Sequence, residues 1–187
     1  MTKFAEETVR HPFPPLVDEN SRVLILGSLP SVASRAQGFY YMHARNRFWA
    51  VMSALLGTDL TSADVETKKR TLLRHGIALH DVIRECRITG SGDASIRGAV
   101  PSDIRAILAA APIEMIYLNG STAYKLFLKY FPDLGNIAHP LPSTSPANAK
   151  WTSAALTKEW GRALEALRLN SELGIRSEGA PRKDELT

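Results

Sequence analysis

A single cysteine, Cys86, stands among the 187 residues. That excludes an internal disulfide, a four-cysteine zinc site and an iron–sulfur cluster held by the chain's own thiolates. Histidine is sparse as well: five residues, at 11, 43, 75, 80 and 139, with no ligand-spaced pair such as HExxH. The pattern therefore predicts neither a metal nor another cofactor. Long apolar runs are lacking too. The best stretch, Ile107 to Leu118, is broken by Pro112 and Glu114, and spanning a bilayer takes roughly 18 uninterrupted apolar residues. The opening MTKFAEETVRHPFPP has no apolar signal-peptide core, and the closing KDELT runs one residue past a retention signal. The expectation is a cytoplasmic monomer with no membrane partner.

What is present is an ordinary globular composition, 44% hydrophobic and 22% charged, enough for one domain with a real core. The formal net charge is +4, but residues 21–170 hold 18 basic and 11 acidic side chains, a net +7. A basic body suits a polyanion such as nucleic acid, because neutralising phosphates releases counterions. Mild basicity is also common in soluble domains without such a partner.

The apolar run RVLILG (22–27) reads as a strand buried on both faces. From Asn46 the positions Phe48, Trp49, Met52, Leu55 and Leu56 follow helical spacing, with Gly57 where a left-handed cap belongs. About twenty residues of loop separate the two, a length that is usually functional. Further along, the pattern predicts a helix over 62–74, a strand at 77–83, and a glycine- and serine-rich loop over 85–100. Ser102 caps a helix to 110, a strand runs over 113–120, a helix follows, a short strand covers 136–142, and a helix spans 153–169. Alternating strands and helices imply a three-layer α/β/α sandwich around a mostly parallel sheet of about four strands. Residues 1–20 read as an N-terminal extension, 21–170 as the domain, and 171–187 as a disordered tail. Ligands in such folds bind at the carboxyl ends of the strands.

Those ends carry GSLPS (27–31), the HDV region (80–82), LNGS (118–121) and LPSTSPAN (141–148). GSLPS (27–31) allows a tight turn with exposed amides, yet it matches no phosphate loop and no nucleophile elbow. LPSTSPAN (141–148) is a stiff loop whose Ser143, Thr144 and Ser145 offer hydroxyls to a phosphodiester, or is simply a polar connection. GFYYMHARNRFW (38–49) carries the most information. Its Phe48 and Trp49 lie on the apolar stripe of the next helix, whereas Phe39, Tyr40 and Tyr41 lie upstream, where rings can stack on a base or pin the loop. Asn46 opens the helix, and by position alone reads as an N-cap.

An apolar strand ending in GSLPS, followed by GFYY, a histidine, NRFW and, about a hundred residues later, LPSTSPAN, resembles the hypoxanthine-DNA glycosylase branch of the uracil-DNA glycosylase superfamily. NRFW is also similar to the mismatch-specific uracil-DNA glycosylases. The likeness covers about residues 20–168. It implies an α/β/α domain that flips a damaged base out of double- or single-stranded DNA and hydrolyses its N-glycosidic bond. Most of the superfamily keeps an acid or amide two residues after the first motif's glycine; here Leu29 stands there, and an isobutyl group holds no water. In the hypoxanthine branch the asparagine of NRFW is the catalytic one, which falls on Asn46. Two departures are Ala44, where relatives commonly have proline, and His80, where an aromatic is usual before Asp81.

The resemblance implies further roles. Gly27, Ser28, Leu29 and Pro30 would form the base-binding turn, with the Ser28 and Leu29 backbone amides on the base's carbonyl; Tyr41 or Phe39 would stack on it, and His43 would touch base or phosphate. Ser143, Thr144, Ser145, Pro146, Ala147 and Asn148 would grip the DNA backbone. No lysine precedes Lys150 in the motif regions, which points to a monofunctional enzyme using water instead of a Schiff base. Two other readings stand beside it: a mismatch-type uracil-DNA glycosylase, and a nucleic-acid-binding module without catalysis. A small-molecule hydrolase built on Ser28 or Ser143 lacks a placeable base.

Overall fold

A computed structural model describes residues 6–89 and 96–172. In chain order the elements are β1 (Glu6–Arg10), β2 (Val23–Gly27), α1 (Val32–Gln37), α2 (Phe48–Leu56), α3 (Val65–Arg74), β3 (Ile77–Asp81), β4 (Ile83–Thr89) and β5 (Arg97–Pro101). They continue with α4 (Ile104–Ala110), β6 (Met115–Asn119), α5 (Ser121–Tyr130), a 3-10 turn over Pro132–Ile137, β7 (Ala138–Leu141) and α6 (Ser153–Glu172).

The apolar run VLILG became a central strand because both its faces are covered. In β2, Val23 and Ile25 enter one core with Phe48, Trp49, Met52, Leu72 and Trp160. Leu24 and Leu26, on the alternate face, enter a second with Ile104, Ile107, Ile116 and Phe127. Helices α2, α3 and α6 thus cover one side of the sheet, and α4 and α5 the other. The sheet is parallel and four-stranded, in the order β3-β2-β6-β7. This is the expected three-layer sandwich.

Gly57 and Gly76 take the left-handed backbone expected after their helices, with φ of 65° and 68°. Helix α2 starts at Phe48, two residues later than its apolar spacing suggests. The long loop before it holds α1, capped by the Ser31 side chain on the Ser34 N–H and ended by Gly38. Asp103, not Ser102, caps α4.

The larger correction concerns residues 85–100. Strand β4 pairs antiparallel with β1 on one side and β5 on the other, making a second, three-stranded sheet. Its alternation was hidden because the pairing with β5 shifts register between Ile83 and Glu85 and between Glu85 and Arg87, which breaks the period of two. Residues 90–95, the source of the loop-like composition, and 173–187, most of the expected tail, lie outside the described residues.

Residues 6–18 are hydrogen-bonded into the body. Beyond the β1–β4 ladder, the His11 N–H donates to the Arg84 carbonyl at 2.7 Å. Leu16 exchanges both backbone bonds with Leu79, at 3.0 and 2.9 Å. Among the described residues no helix is long and apolar enough to cross a membrane.

Candidate active site

The four parallel strands end at Gly27, Asp81, Asn119 and Leu141, and these four ends line one cleft of about 1100 Å³. Gly27, Ser28, Leu29, Pro30, Tyr41, His43, Asn46 and the whole of Ser143–Asn148 line it. The three motifs, distant in sequence, therefore share one wall system. Phe39 does not join them. Its ring is only 2% exposed and stacks on Trp49 at 5.7 Å, because the turn after Gly38 directs it into the core. Its expected place against a base is withdrawn.

Tyr41 lines the cleft with its ring stacked on Phe48, centroids 3.9 Å apart. Its backbone is left-handed, φ 58°, the sole non-glycine case among the described residues. That conformation costs an L-residue roughly 1–2 kcal/mol and is met mostly where a site demands it. The hydroxyl is buried without a hydrogen-bond partner. Burial pushes its pKa upward, the Asp81 charge adds to that, and nearby Asn119 opposes them without standing in hydrogen-bond geometry.

Asn46 stands on the cleft wall just before α2. Its Oδ1 accepts the Phe48 N–H at 2.9 Å, and its own N–H donates to the His43 carbonyl at 2.8 Å. Arg47, not Asn46, is the N-cap of α2 and makes no side-chain cap bond; Asn46 ties the first helical N–H from one residue outside, and its amide oxygen keeps a second lone pair and its amide nitrogen two hydrogens. The next residue, Arg47, clasps the third motif. Its guanidinium donates to the backbone carbonyls of Thr144 (3.3 Å), Ser145 (2.8 Å), Asn148 (3.0 Å) and Trp151, and its N–H donates to Thr144 again. His43 accepts the Arg45 N–H on Nδ1 at 3.2 Å, which puts the neutral ring's proton on Nε2.

Thr144 is fully buried. Its hydroxyl accepts from Asn119 Nδ2 and its N–H donates to Asn119 Oδ1, both at 2.9 Å. It supports the loop from beneath and is not placed to grip DNA, correcting the expectation for that one residue. Gly120 lets the loop come close: with φ 105°, a Cβ there would stand 2.9 Å from the Ser143 Cβ.

Asp81 and Asn119 lie at strand ends that the sequence marks as ligand-facing but to which it gives no role, and Arg47 was not singled out. For the first two a signal existed, a polar residue ending an otherwise apolar strand at the ligand-binding edge. Asp81 lies over Gly27: a Cβ added there would fall 2.3 Å from Asp81 Oδ1 and 3.4 Å from the Tyr41 hydroxyl. Beside it, the Tyr40 hydroxyl donates to the Pro14 carbonyl (3.1 Å), so the His80 Nδ1–H donates to Tyr40 (2.9 Å). Burial, with His11 nearby, pushes the His80 imidazole down to about 3.

A strand-edge cleft of this kind, walled by GSLPS, NRFW and LPSTSPAN, has counterparts. The profile of the uracil DNA glycosylase superfamily matches residues 14–168. The chain belongs to that superfamily. It is 33% identical to a hypoxanthine DNA glycosylase of Methanosarcina barkeri over 74% of this chain and 87% of the relative. It is also 33% identical to one of Methanosarcina acetivorans, over 81% and 96%. The solution NMR structure of a candidate uracil DNA glycosylase from M. acetivorans superimposes with a TM-score of 0.74 at 31% identity, covering 87% of this chain and 99% of that one. As a superfamily member the protein is a DNA N-glycosylase, a hydrolase acting on DNA.

Proposed function

We propose that this glycosylase removes deaminated bases, hypoxanthine first among them, by a monofunctional hydrolysis that leaves an abasic site. The observation that carries the reading is the convergence of Asn46, Tyr41 and the Gly27–Pro30 turn on one cleft, in a chain one-third identical to two hypoxanthine DNA glycosylases over most of its length.

Breaking a purine's glycosidic bond builds positive charge on the sugar and negative charge on the leaving base. The nucleotide must first leave the stack. In this reading Tyr41 stacks on the flipped base, and the Ser28 and Leu29 amides meet its carbonyl. Asn46 holds the attacking water through the lone pair that its bond to the Phe48 N–H leaves open. An amide is no general base at neutral pH, so its gain is geometric and electrostatic. His43 donates from Nε2 to base or phosphate. Ser143, Ser145, Pro146, Ala147 and Asn148 face the DNA backbone, with Thr144 bracing them. The Leu29 side chain packs against the core and contributes shape only.

The test is a panel of duplex and single-stranded oligonucleotides carrying hypoxanthine, uracil or xanthine, cut with wild type and Asn46→Ala. Wild type should release hypoxanthine fastest. The variant should lose about 100-fold or more in single-turnover rate and about 1 kcal/mol of stability from the lost bond to the Phe48 N–H. Asn46→Asp, which keeps an acceptor for the Phe48 N–H, separates the two effects. Undiminished cleavage by folded Asn46→Ala rules out the proposed role, and faster release of uracil would favour the mismatch-type reading.

A further inference from the structure

The antiparallel pairing of β1 carries His11 under the cleft floor, where it meets Asp81. Both side chains are almost sealed from solvent, 3% and 5% exposed, and His11 Nε2 lies 2.8 Å from Asp81 Oδ2. The other ring nitrogen, Nδ1, lies 2.9 Å from the Phe13 carbonyl oxygen. A carbonyl can only accept, so Nδ1 carries a hydrogen. The contact between Nε2 and the carboxyl also needs a hydrogen. The pair therefore holds two protons in all, and imidazole is by nature a stronger base than carboxylate. Both belong on the ring, leaving Asp81 an anion. The other ionisable groups around it are neutral: the Tyr40 and Tyr41 hydroxyls, both pushed upward by burial, and His80, its neighbour on β3, pushed down. Among the described residues His11 is the ion-pair partner of Asp81. The free oxygen, Oδ1, occupies the room over Gly27 that a side chain would fill, beside the unpartnered Tyr41 hydroxyl.

We propose that His11 is a positioning residue of the glycosylase reaction: its imidazolium fixes Asp81 as an anion with Oδ1 turned to the cleft floor, where it accepts the ring N–H that deamination creates. The inference rests on the reading given under Proposed function. Its chemistry is simple. Adenine carries a lone pair at N1 where hypoxanthine carries N1–H, and cytosine and uracil differ in the same way at N3. A fixed anion accepts from the deaminated base and repels the lone pair of its parent.

The experiment measures single-turnover base release from a hypoxanthine duplex, against pH, for wild type, His11→Gln and Asp81→Asn. Glutamine can still donate to Asp81 but cannot titrate. Wild type should show an alkaline fall in rate as His11 loses its proton and its lone pair turns on the carboxylate. His11→Gln should lack that limb and be at least about tenfold slower at neutral pH, with Asp81→Asn slower still. A limb that comes from ionisation of the substrate would persist in the variant, and overturns the inference. So does a folded His11→Gln with wild-type rate and profile. If the variants fail to fold, nitrogen-15 NMR of wild type decides: a doubly protonated His11 ring at pH 7 is expected, and a neutral one sinks the inference. Failure of wild type on every base in the panel would overturn the reading itself, and this inference with it. A working wild type beside an unaltered His11→Gln would overturn the inference alone.

Discussion

His80 shows how one side chain can tie stability to pH. The folded protein holds it neutral down to about 3, whereas in the unfolded chain an imidazole takes up its proton near 6.5. Above about 6.5 neither state is charged and the residue is indifferent to pH. Between about 6.5 and 3 the unfolded chain binds a proton that the folded one refuses, so stability is lost as pH falls through that window. Melting temperatures measured from pH 7 to pH 4 should decline, and His80→Phe should flatten the decline. An equal slope in that variant would assign the acid loss to other groups. Its surroundings are rich in rings: His11 and Tyr40 pack against it, and Phe13 packs against Tyr40.

Among elements, the decisive relation is between the start of α2 and the loop after β7. Arg47 spends its guanidinium on four carbonyls of that loop, hydrogen bonds to a charged donor being worth about 1.5–3 kcal/mol each before entropy is counted. Arg47→Lys replaces a planar fork by a point charge and keeps one or two of them. It should destabilise the protein by about 2 kcal/mol and weaken binding of an uncleavable duplex more than it slows the bound complex. Calorimetry and a KM-against-kcat comparison would check this, and unchanged DNA affinity would show the clasp to be a matter of stability alone. This element was legible only in part. The strand ending in GSLPS and the stripe on α2 followed from hydrophobic spacing, and so did the strand order's parallel character. What spacing could not show was where Arg47 points, since a basic residue beside a basic motif looks like a phosphate contact. Nor could it separate Phe39 from Tyr41, rings two positions apart of which only Tyr41 takes a left-handed backbone. Strand β4 was missed for a related reason, the register shifts that spoil its alternation.

For the whole molecule, the net +7 over residues 21–170 is a statement about association with DNA. Arg45 and Lys150 are exposed beside Asn46 and the third motif, and Lys150 also lines the cleft. If both meet phosphates, replacing either with alanine should lower the slope of log affinity against log salt by about 0.9 on duplex DNA, leaving the base preference of the panel unaltered. A titration from 50 to 300 mM salt would read it, and an unchanged slope would place the DNA track elsewhere on the molecule.

The Arg47 clasp bears on how such an enzyme can change. It holds the loop by carbonyl oxygens, a handle every residue type offers alike; Ser145 and Asn148 add bonds from their own side chains, so the identity at 147 is the one free to vary while the loop's shape is inherited from a residue a hundred positions away. Probing residues of different bulk could replace Ala147, and lesion preference could drift, without the scaffold registering the exchange.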